Sequence, residues 1–400
     1  MPKNKRPAPR KTAPPEDKSE TTIQTLAFLA LELSEREDGE TQKAALRQQE
    51  EEFHKLVRKA LNQHKDEVLY EAIERARDED IGAYQFLREA VSEAAATLLM
   101  RRENAPEMEI NAFAIPLFVR STGGLKQEQE FLDQDAYDAL LASFTSAQLE
   151  APKARVVLIQ HAYDLNEIDA VTYSQLHEMV REAYVSMTDK KIVAAPALER
   201  SMPGWTETGF APTDEVTELR FLLGFALKRA DDAFYRVPAD EAAADAYFAA
   251  RMERYQQWTV QAAPLVQRCL SAQPVELNFL YQDLFYGAKD QGMAEYAMLQ
   301  MMAEVNQTLR KENLAPEQVK AIVAPADARG AMMLRTSLYQ LDGGALLASS
   351  EKPLDLSADL QVEVDDVCDA LETVGLRVIG VAQRFDAQGA AVEELPYRRD

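Results

Sequence analysis

The first part of the chain places apolar and charged residues with the period of an α-helix. Between residues 21 and 104, apolar side chains return at spacings of three, four and seven, with charged positions between them. Four helical segments are predicted in this stretch, with polar breaks at Asp38-Gly39 and 78–80, and the last segment runs through Leu98 and Leu99. Because the apolar stripes are wide, we expect the four helices to pack antiparallel, as a small bundle or as two helical hairpins.

The rest of the chain mixes strand-like and helical patterns. Residues 110–119 and 155–159 are apolar runs typical of strands. Helical segments near 131–148 and 166–187 follow them, and Asn166 is the expected N-cap of the second.

A short self-similarity organises this second part. Lys191-Ile-Val-Ala-Ala-Pro196 returns as Lys320-Ala-Ile-Val-Ala-Pro325, and each copy is followed by Leu-Arg and, 19 residues after that leucine, by a proline. The predicted order in both halves is strand, helix, strand, hairpin, helix and strand, and the final strands lie at 275–281 and 376–383. That order indicates a split β-α-β, or ferredoxin-like, unit present twice.

The second copy also resolves an ambiguous segment of the first. Residues 217–228 fit a helix and a strand about equally, whereas Asp342-Gly343-Gly344 is a clear hairpin turn at the corresponding place. By correspondence, residues 218–228 are predicted to form a strand that turns at Asp231-Asp232.

These patterns predict an α+β protein with an N-terminal helical bundle and a duplicated split β-α-β body. Four parts are expected. They are a disordered, basic, proline-rich tail (1–20), a helical domain (21–104), a first α+β unit with a preceding strand (105–274) and a second α+β unit (275–400).

Composition narrows the class of protein. The chain has 400 residues, 46% of them hydrophobic, and its 44 basic and 67 acidic residues give a net charge of −23. Such an apolar content excludes a disordered protein, and the negative charge repels phosphate backbones. Only the tail, with six basic and three acidic residues among its 20, is expected to hold nucleic acid, if any part does.

Neither a secretory signal nor a membrane span is expected. The apolar run of residues 26–31 ends at Glu32 after six residues, whereas a signal needs about 7–15 and a span about 20. We therefore expect a cytoplasmic protein without a targeting peptide or a membrane partner.

Familiar catalytic and metal-binding patterns fail. His177-Glu178 begins a zinc-protease motif, but Arg181 stands where the second histidine is required. The two cysteines, Cys269 and Cys368, lie 99 positions apart and cannot form a cysteine zinc site. We expect no metal and no cofactor.

Two places are candidate binding sites. In the first copy of the repeat Leu219 follows Pro196 by 23 positions, against nine from Pro325 to Leu334 in the second copy, and the added segment contains Trp205 and Phe210. It predicts a binding edge, or a cap on one end of the sheet. His161 and Asp164 follow a strand at the end where ligands often bind, although a buried structural histidine is the alternative.

Three strands carry a family resemblance: Ile115-Pro-Leu-Phe-Val119, Leu219-Arg-Phe-Leu-Leu-Gly224 and Ile322-Val-Ala-Pro325. Residues 110–383 resemble a bacterial, mainly β-proteobacterial, family of cytoplasmic proteins classed as a domain of unknown function. The helical front at 21–104 departs from that pattern. The resemblance implies a bacterial, cytoplasmic protein and assigns no functional residue.

The leading hypothesis is a non-catalytic regulatory or adaptor protein that binds another protein, with homo-oligomerisation left open. One alternative is a small-molecule sensor whose ligand lies between the two α+β repeats. Another is a hydrolase or transferase that uses carboxylates near the sheet.

Overall fold

The contacts of the chain divide it into two compact units, residues 1–95 and 96–400. The computed structural model describes residues 18–34, 43–101, 105–125, 131–147, 149, 154–188, 213–232, 237–328, 331–354, 359–386 and 388–398.

Helices build the first unit, as predicted. They are α1 (Lys18–Ser34), α2 (Lys43–Asn62), α3 (Asp66–Glu79) and α4 (Ile81–Ala96). Helix α1 packs against α2 and α3. Asp80 caps α4, because its Oδ1 accepts the N–H of Ala83 at 2.8 Å. The last three residues of the predicted tail, 18–20, belong to α1.

The predicted fourth helix is too long at its end. Leu98 and Leu99 lie in strand β1 (Thr97–Met100), which pairs antiparallel with strand β2 (Met108–Thr122). The helical spacing continues through these leucines, but pairing with the edge of a long neighbouring strand satisfies their backbone instead.

An antiparallel sheet of six strands forms the first half of the second unit. Beside β1 and β2 it contains β3 (Arg155–Asp164), β4 (Glu215–Arg229), β5 (Glu276–Phe279) and β6 (Asp283–Leu284). Strand β4 pairs with β2 along its whole length and with β3 on its other side. Strands β1, β5 and β6 also pair with β2. The strand predicted at 218–228 is therefore confirmed.

Within the described residues, six α-helices accompany the strands of this unit. They are α5 (Gln134–Ala147), α6 (Leu165–Asp169), α7 (Tyr173–Thr188), α8 (Glu241–Leu270), α9 (Phe285–Glu312) and α10 (Leu360–Val374). Helices α5 and α8 share a core with one face of the six-stranded sheet. Helix α9 packs on the other face, where a Cβ added at Gly292 would meet the Phe221 ring at 2.9 Å.

The helix predicted over 166–187 is two helices, and Asn166 is not its N-cap. Asp164 caps α6, and α7 begins after Thr172, whose Oγ1 accepts the N–H of Gln175 at 3.3 Å. The Gln175 side chain accepts the Thr172 N–H in return, at 2.9 Å. A complete capping box thus interrupts a stretch whose apolar spacing alone indicates one helix.

A second sheet of five strands follows in the chain. Its order is β13-β10-β7-β8-β9, for β7 (Val319–Ala328), β8 (Ala331–Gln340), β9 (Leu346–Pro353), β10 (Val378–Val381) and β13 (Leu395–Pro396). The hairpin predicted at Asp342-Gly343-Gly344 joins β8 to β9. Helix α10 and the end of α9 cover one face. The other face contacts the short pair β11 (Arg384–Phe385) and β12 (Ala391–Val392).

The α+β class is confirmed, whereas the ferredoxin-like arrangement is not. That arrangement would place β5 in the same sheet as β7, yet β5 pairs with β2 of the six-stranded sheet. Strand β5 follows α8 after a short connection and contacts it, so β2 offers the nearest edge. The corresponding element of the first copy, 191–196, lies outside the described residues, so the repeat stays a prediction, as does a boundary at 274.

No helix within the described ranges is long and apolar enough to cross a membrane.

Candidate functional site

The histidine predicted as a ligand-binding residue is a buried, bonded side chain. His161 is 6% exposed, and its Nε2 lies 3.3 Å from Oε1 of Glu167. Its ring meets the Tyr163 ring edge-on, with 4.4 Å between the centroids. These contacts hold the imidazole inside the protein and match the structural alternative that the sequence left open.

The Asp164 side chain forms a hydrogen bond with the backbone. Its Oδ1 accepts the N–H of Glu167, and Oε2 of Glu167 accepts the N–H of Asp164, both at 2.9 Å. This reciprocal pair is a capping box, which fixes the start of α6 directly after β3. The carboxylates of Asp164 and Glu167, which follow His161 in the chain, therefore help to end β3 and to begin α6.

A buried arginine completes this cluster. Arg220 of β4 is fully buried, and its Nη2 donates to Oε1 of Glu218 at 2.7 Å. Its Nη1 lies 3.8 Å from Oδ2 of Asp164, the residue opposite in the β3–β4 register. Glu218 also accepts the N–H of Leu125 at 2.6 Å. A buried cation is tolerated when carboxylates surround it in this way, and here they tie β3, β4 and the end of β2 together.

A second buried ion pair lies at the other end of β4. Lys228 is also buried, and its Nζ donates to Oε1 of Glu109 on β2 at 2.6 Å. The two residues are directly opposite in the β2–β4 register. The ion pairs at the two ends of β4 help to fix the register of the long strands. Within the described residues, no group of three or more His, Cys, Asp or Glu side chains is placed to hold a metal ion.

Sequence reasoning missed three members of the cluster: Glu167, Glu218 and Arg220. Two signals were available. Asp164 and Glu167 have capping-box spacing, and Arg220 is a single cation at the start of the apolar run 219–227. A lone cation within such a run predicts a buried ion pair when the run is central in a sheet.

The other two candidate residues, Trp205 and Phe210, lie outside the described residues.

A surface that the sequence did not indicate lies on α8. Residues 241–250, which we call the exposed segment, are eight apolar residues with one glutamate and one aspartate, and none of the ten is buried. Phe248 is 45% exposed, and Met252, one turn further on, is 40% exposed. Monomeric proteins rarely leave large apolar side chains grouped in this way without a use for them.

The exposed segment continues the buried stripe of the same helix. Further along, Arg251, Tyr255, Trp258 and Ala262 are buried at spacings of three and four. Phe248 precedes Arg251 by three positions and Tyr255 by seven, so its side chain extends the same stripe. The helix therefore carries its core-facing pattern about two turns beyond the residues that it buries.

Hydrogen bonds hold the exposed segment in helical form. Asp240 is its N-cap, since Oδ1 accepts the N–H of Ala243 at 3.0 Å. Alanine, the best helix former, occupies six of its ten positions. Cap and composition together make a preformed helical surface at low entropic cost.

Comparison with known protein families places the chain. Residues 12–340 match a family described as a protein of unknown function, DUF2863. The chain belongs to this family. The match includes the helical front, so the expectation that residues 21–104 depart from the family is wrong. DUF2863 also spans the cluster around Arg220 and the whole of α8. No curated protein and no solved structure matches the chain.

Proposed function

We propose that this DUF2863 protein is a non-catalytic regulatory or adaptor protein, cytoplasmic, which binds another protein along the exposed segment of α8. The observation that supports this function is the exposure of Phe248 and Met252 on a preformed helix none of whose first ten residues is buried. Aromatic side chains and methionine are enriched in protein interfaces.

The arrangement suits a helix-to-helix contact. Phe248 and Met252 are neighbours at i and i+4, and Ala244, one turn before Phe248, leaves room for another backbone to approach closely. A partner helix that laid its apolar side here would extend the packing that already buries Trp258 and Tyr255. Recognition of a helix by an apolar strip is a recurring mode of binding.

Charge defines the partner further. Glu241 and Asp245 are exposed on the same side of the helix as Phe248, and the whole chain carries a net charge of −23. Complementary charge steers association and disfavours wrong partners. The partner is thus expected to present an apolar strip bordered by lysine or arginine.

Site-specific photo-crosslinking in the producing cells identifies the partner. A photoreactive phenylalanine analogue at position 248 is expected to capture one protein, whereas the same analogue at Phe28 is not. Phe28 is a matched control because it is 55% exposed on α1, in the other unit.

The captured partner is then purified and its affinity measured with the full-length protein. Phe248→Asp is expected to weaken binding at least about tenfold, or 1.4 kcal/mol. Phe28→Asp should leave the affinity unchanged. Equal effects of both substitutions, or capture of a second copy of this chain alone, would overturn the proposal.

A further inference from the structure

A groove lies at one edge of the five-stranded sheet. Strands β7 and β10 are parallel, with Lys320 opposite Val378 and Val323 opposite Val381, where β10 ends while β7 continues to Ala328. Ligands of α/β proteins bind outside the carboxyl ends of parallel strands. A cavity of about 420 Å³ occupies this position, lined by the end of β7, the start of β8 and the residues of β11.

Apolar side chains form much of the groove. Phe385, Met332 and Pro325 line it; Met332 is 44% exposed, whereas Phe385 is 5% exposed and packs mainly against the sheet. Arg335 of β8 holds the Phe385 ring in place, since its guanidinium lies 5.4 Å from the ring centroid. Arg335 is itself held by Glu351, with Nε 2.9 Å from Oε1. The groove therefore has a rigid aromatic wall and a flexible thioether beside it.

Three charged side chains lie around this apolar wall: Arg384, Asp327 and Asp386. Arg384 and Asp327 are exposed to solvent. Asp386 is oriented by its own turn, because its Oδ1 accepts the N–H groups of Gln388 and Ala390 at 2.9 and 2.8 Å. The groove thus presents a guanidinium and two carboxylates within one small volume.

We propose that this groove binds a free α-amino acid with an apolar side chain. The guanidinium of Arg384 pairs with the ligand's carboxylate, and guanidinium groups favour this pairing geometrically. Asp327 and Asp386 receive its ammonium group. The side chain packs against Phe385 and Met332. A volume of about 420 Å³ falls in the range of small-molecule sites.

This site is independent of the protein-binding surface on α8. It also differs from the sensor site expected from the sequence, which was placed between two repeats, because every lining residue belongs to the second sheet or the residues that follow it. Amino-acid binding here would make the protein responsive to a metabolite whether or not it binds a partner.

Calorimetric titration of the full-length protein tests the proposal with L-leucine, L-methionine and L-phenylalanine as probes. We expect at least one to bind with a Kd below about 1 mM. N-acetyl-L-leucine lacks the ammonium charge and L-leucinamide lacks the carboxylate, and each should bind at least about tenfold more weakly than leucine. Absence of binding by all three amino acids, or equal binding of either analogue, would overturn the proposal.

Two variants locate the site. Arg384→Gln alters an exposed side chain and should weaken binding at least about tenfold while leaving thermal unfolding without ligand unchanged. Arg377→Gln is the matched control, since Arg377 is exposed just before β10, at the opposite end of that strand. If Arg377→Gln weakens binding as much as Arg384→Gln, the ligand does not occupy this groove.

Discussion

The two parts of α8 share one helix and one apolar stripe, yet they lie in different environments. In residues 251–270 the stripe is buried: Trp258 is 1% exposed, packs 5.0 Å from the Phe144 ring and donates to Oγ of Ser143 at 2.7 Å. In the exposed segment, 241–250, the same stripe ends in Phe248 and no residue is buried. The comparison shows that α8 extends beyond the residues that pack in the core of this unit.

Anchoring differs in the same way. Near its end, α8 is tied to the start of α5, because Arg268 donates to Oδ2 of Asp133 at 2.6 Å. Asp133 also accepts the N–H of Ala136, and this bond first, then Arg268, lowers the pKa of the Asp133 carboxyl. The exposed segment is capped by Asp240, the residue directly before it in the chain. Burial thus fixes residues 251–270, whereas no residue of the exposed segment is buried.

The largest effect is expected from truncating the buried part. Trp258→Ala should lower the free energy of unfolding by about 3–5 kcal/mol, because it leaves a cavity between Phe144 and Tyr255 and removes the hydrogen bond that the Ser143 hydroxyl accepts. Urea denaturation measures this change. Val260→Ala, at a residue 76% exposed on the same helix, is the control and should change stability by less than about 0.5 kcal/mol. If Trp258→Ala lowers the free energy of unfolding by less than about 1 kcal/mol, the contrast between the buried and exposed parts of α8 is contradicted.

Thiol reactivity compares the two parts directly. Burial, and to a lesser extent the carboxyl of Asp133, raises the pKa of the Cys269 thiol to about 12. Because the thiolate is the reactive form, Cys269 should react very slowly at pH 8 and faster as the pH rises. Cys368 is likewise buried, with its pKa raised to about 12.

A cysteine introduced by Ala249→Cys, at an exposed position, should react with a disulfide reagent at least about 100-fold faster than either native thiol. If it reacts as slowly as Cys269, the exposed segment is covered in solution.

The smallest effect concerns helix caps. Asp240→Ala should change global stability by less than about 0.5 kcal/mol, because the exposed segment can fray without unfolding the core. Asp359→Ala removes the equivalent cap of α10, where Oδ1 accepts the N–H of Gln361 at 2.8 Å. Helix α10 buries Val364, Val367 and Leu371, so this loss should cost about 1 kcal/mol by chemical denaturation. Equal losses would show that the exposed segment folds together with the core.

Much of this architecture could be predicted from local pattern. The helix expected near 131–148 is α5, and the Asp342-Gly343-Gly344 turn joins β8 to β9, because helix periodicity and turn chemistry depend on residues close together in sequence. Partners distant in sequence could not be predicted. Strand β5 pairs with β2, about 160 residues earlier, and its four residues carry no signal of which edge they choose.

The site shows the same limit. His161 and Asp164 were recognised as polar residues at a strand end, but the buried cation beside Asp164 was not, because Arg220 comes from 56 positions later in the chain. The exposed segment was missed for a different reason. An apolar helical stripe has the same sequence whether the protein covers it or leaves it exposed, as Phe248 and Trp258 show.

Hydrogen–deuterium exchange along α8 in the isolated full-length protein tests the central contrast most directly. We predict that amides of residues 244–250 exchange at least about 100-fold faster than those of residues 255–270, because fraying exposes the former and only unfolding of the core exposes the latter. The captured partner should then slow exchange in residues 244–250 alone. Uniform, slow exchange along the whole helix of the isolated protein would contradict the account.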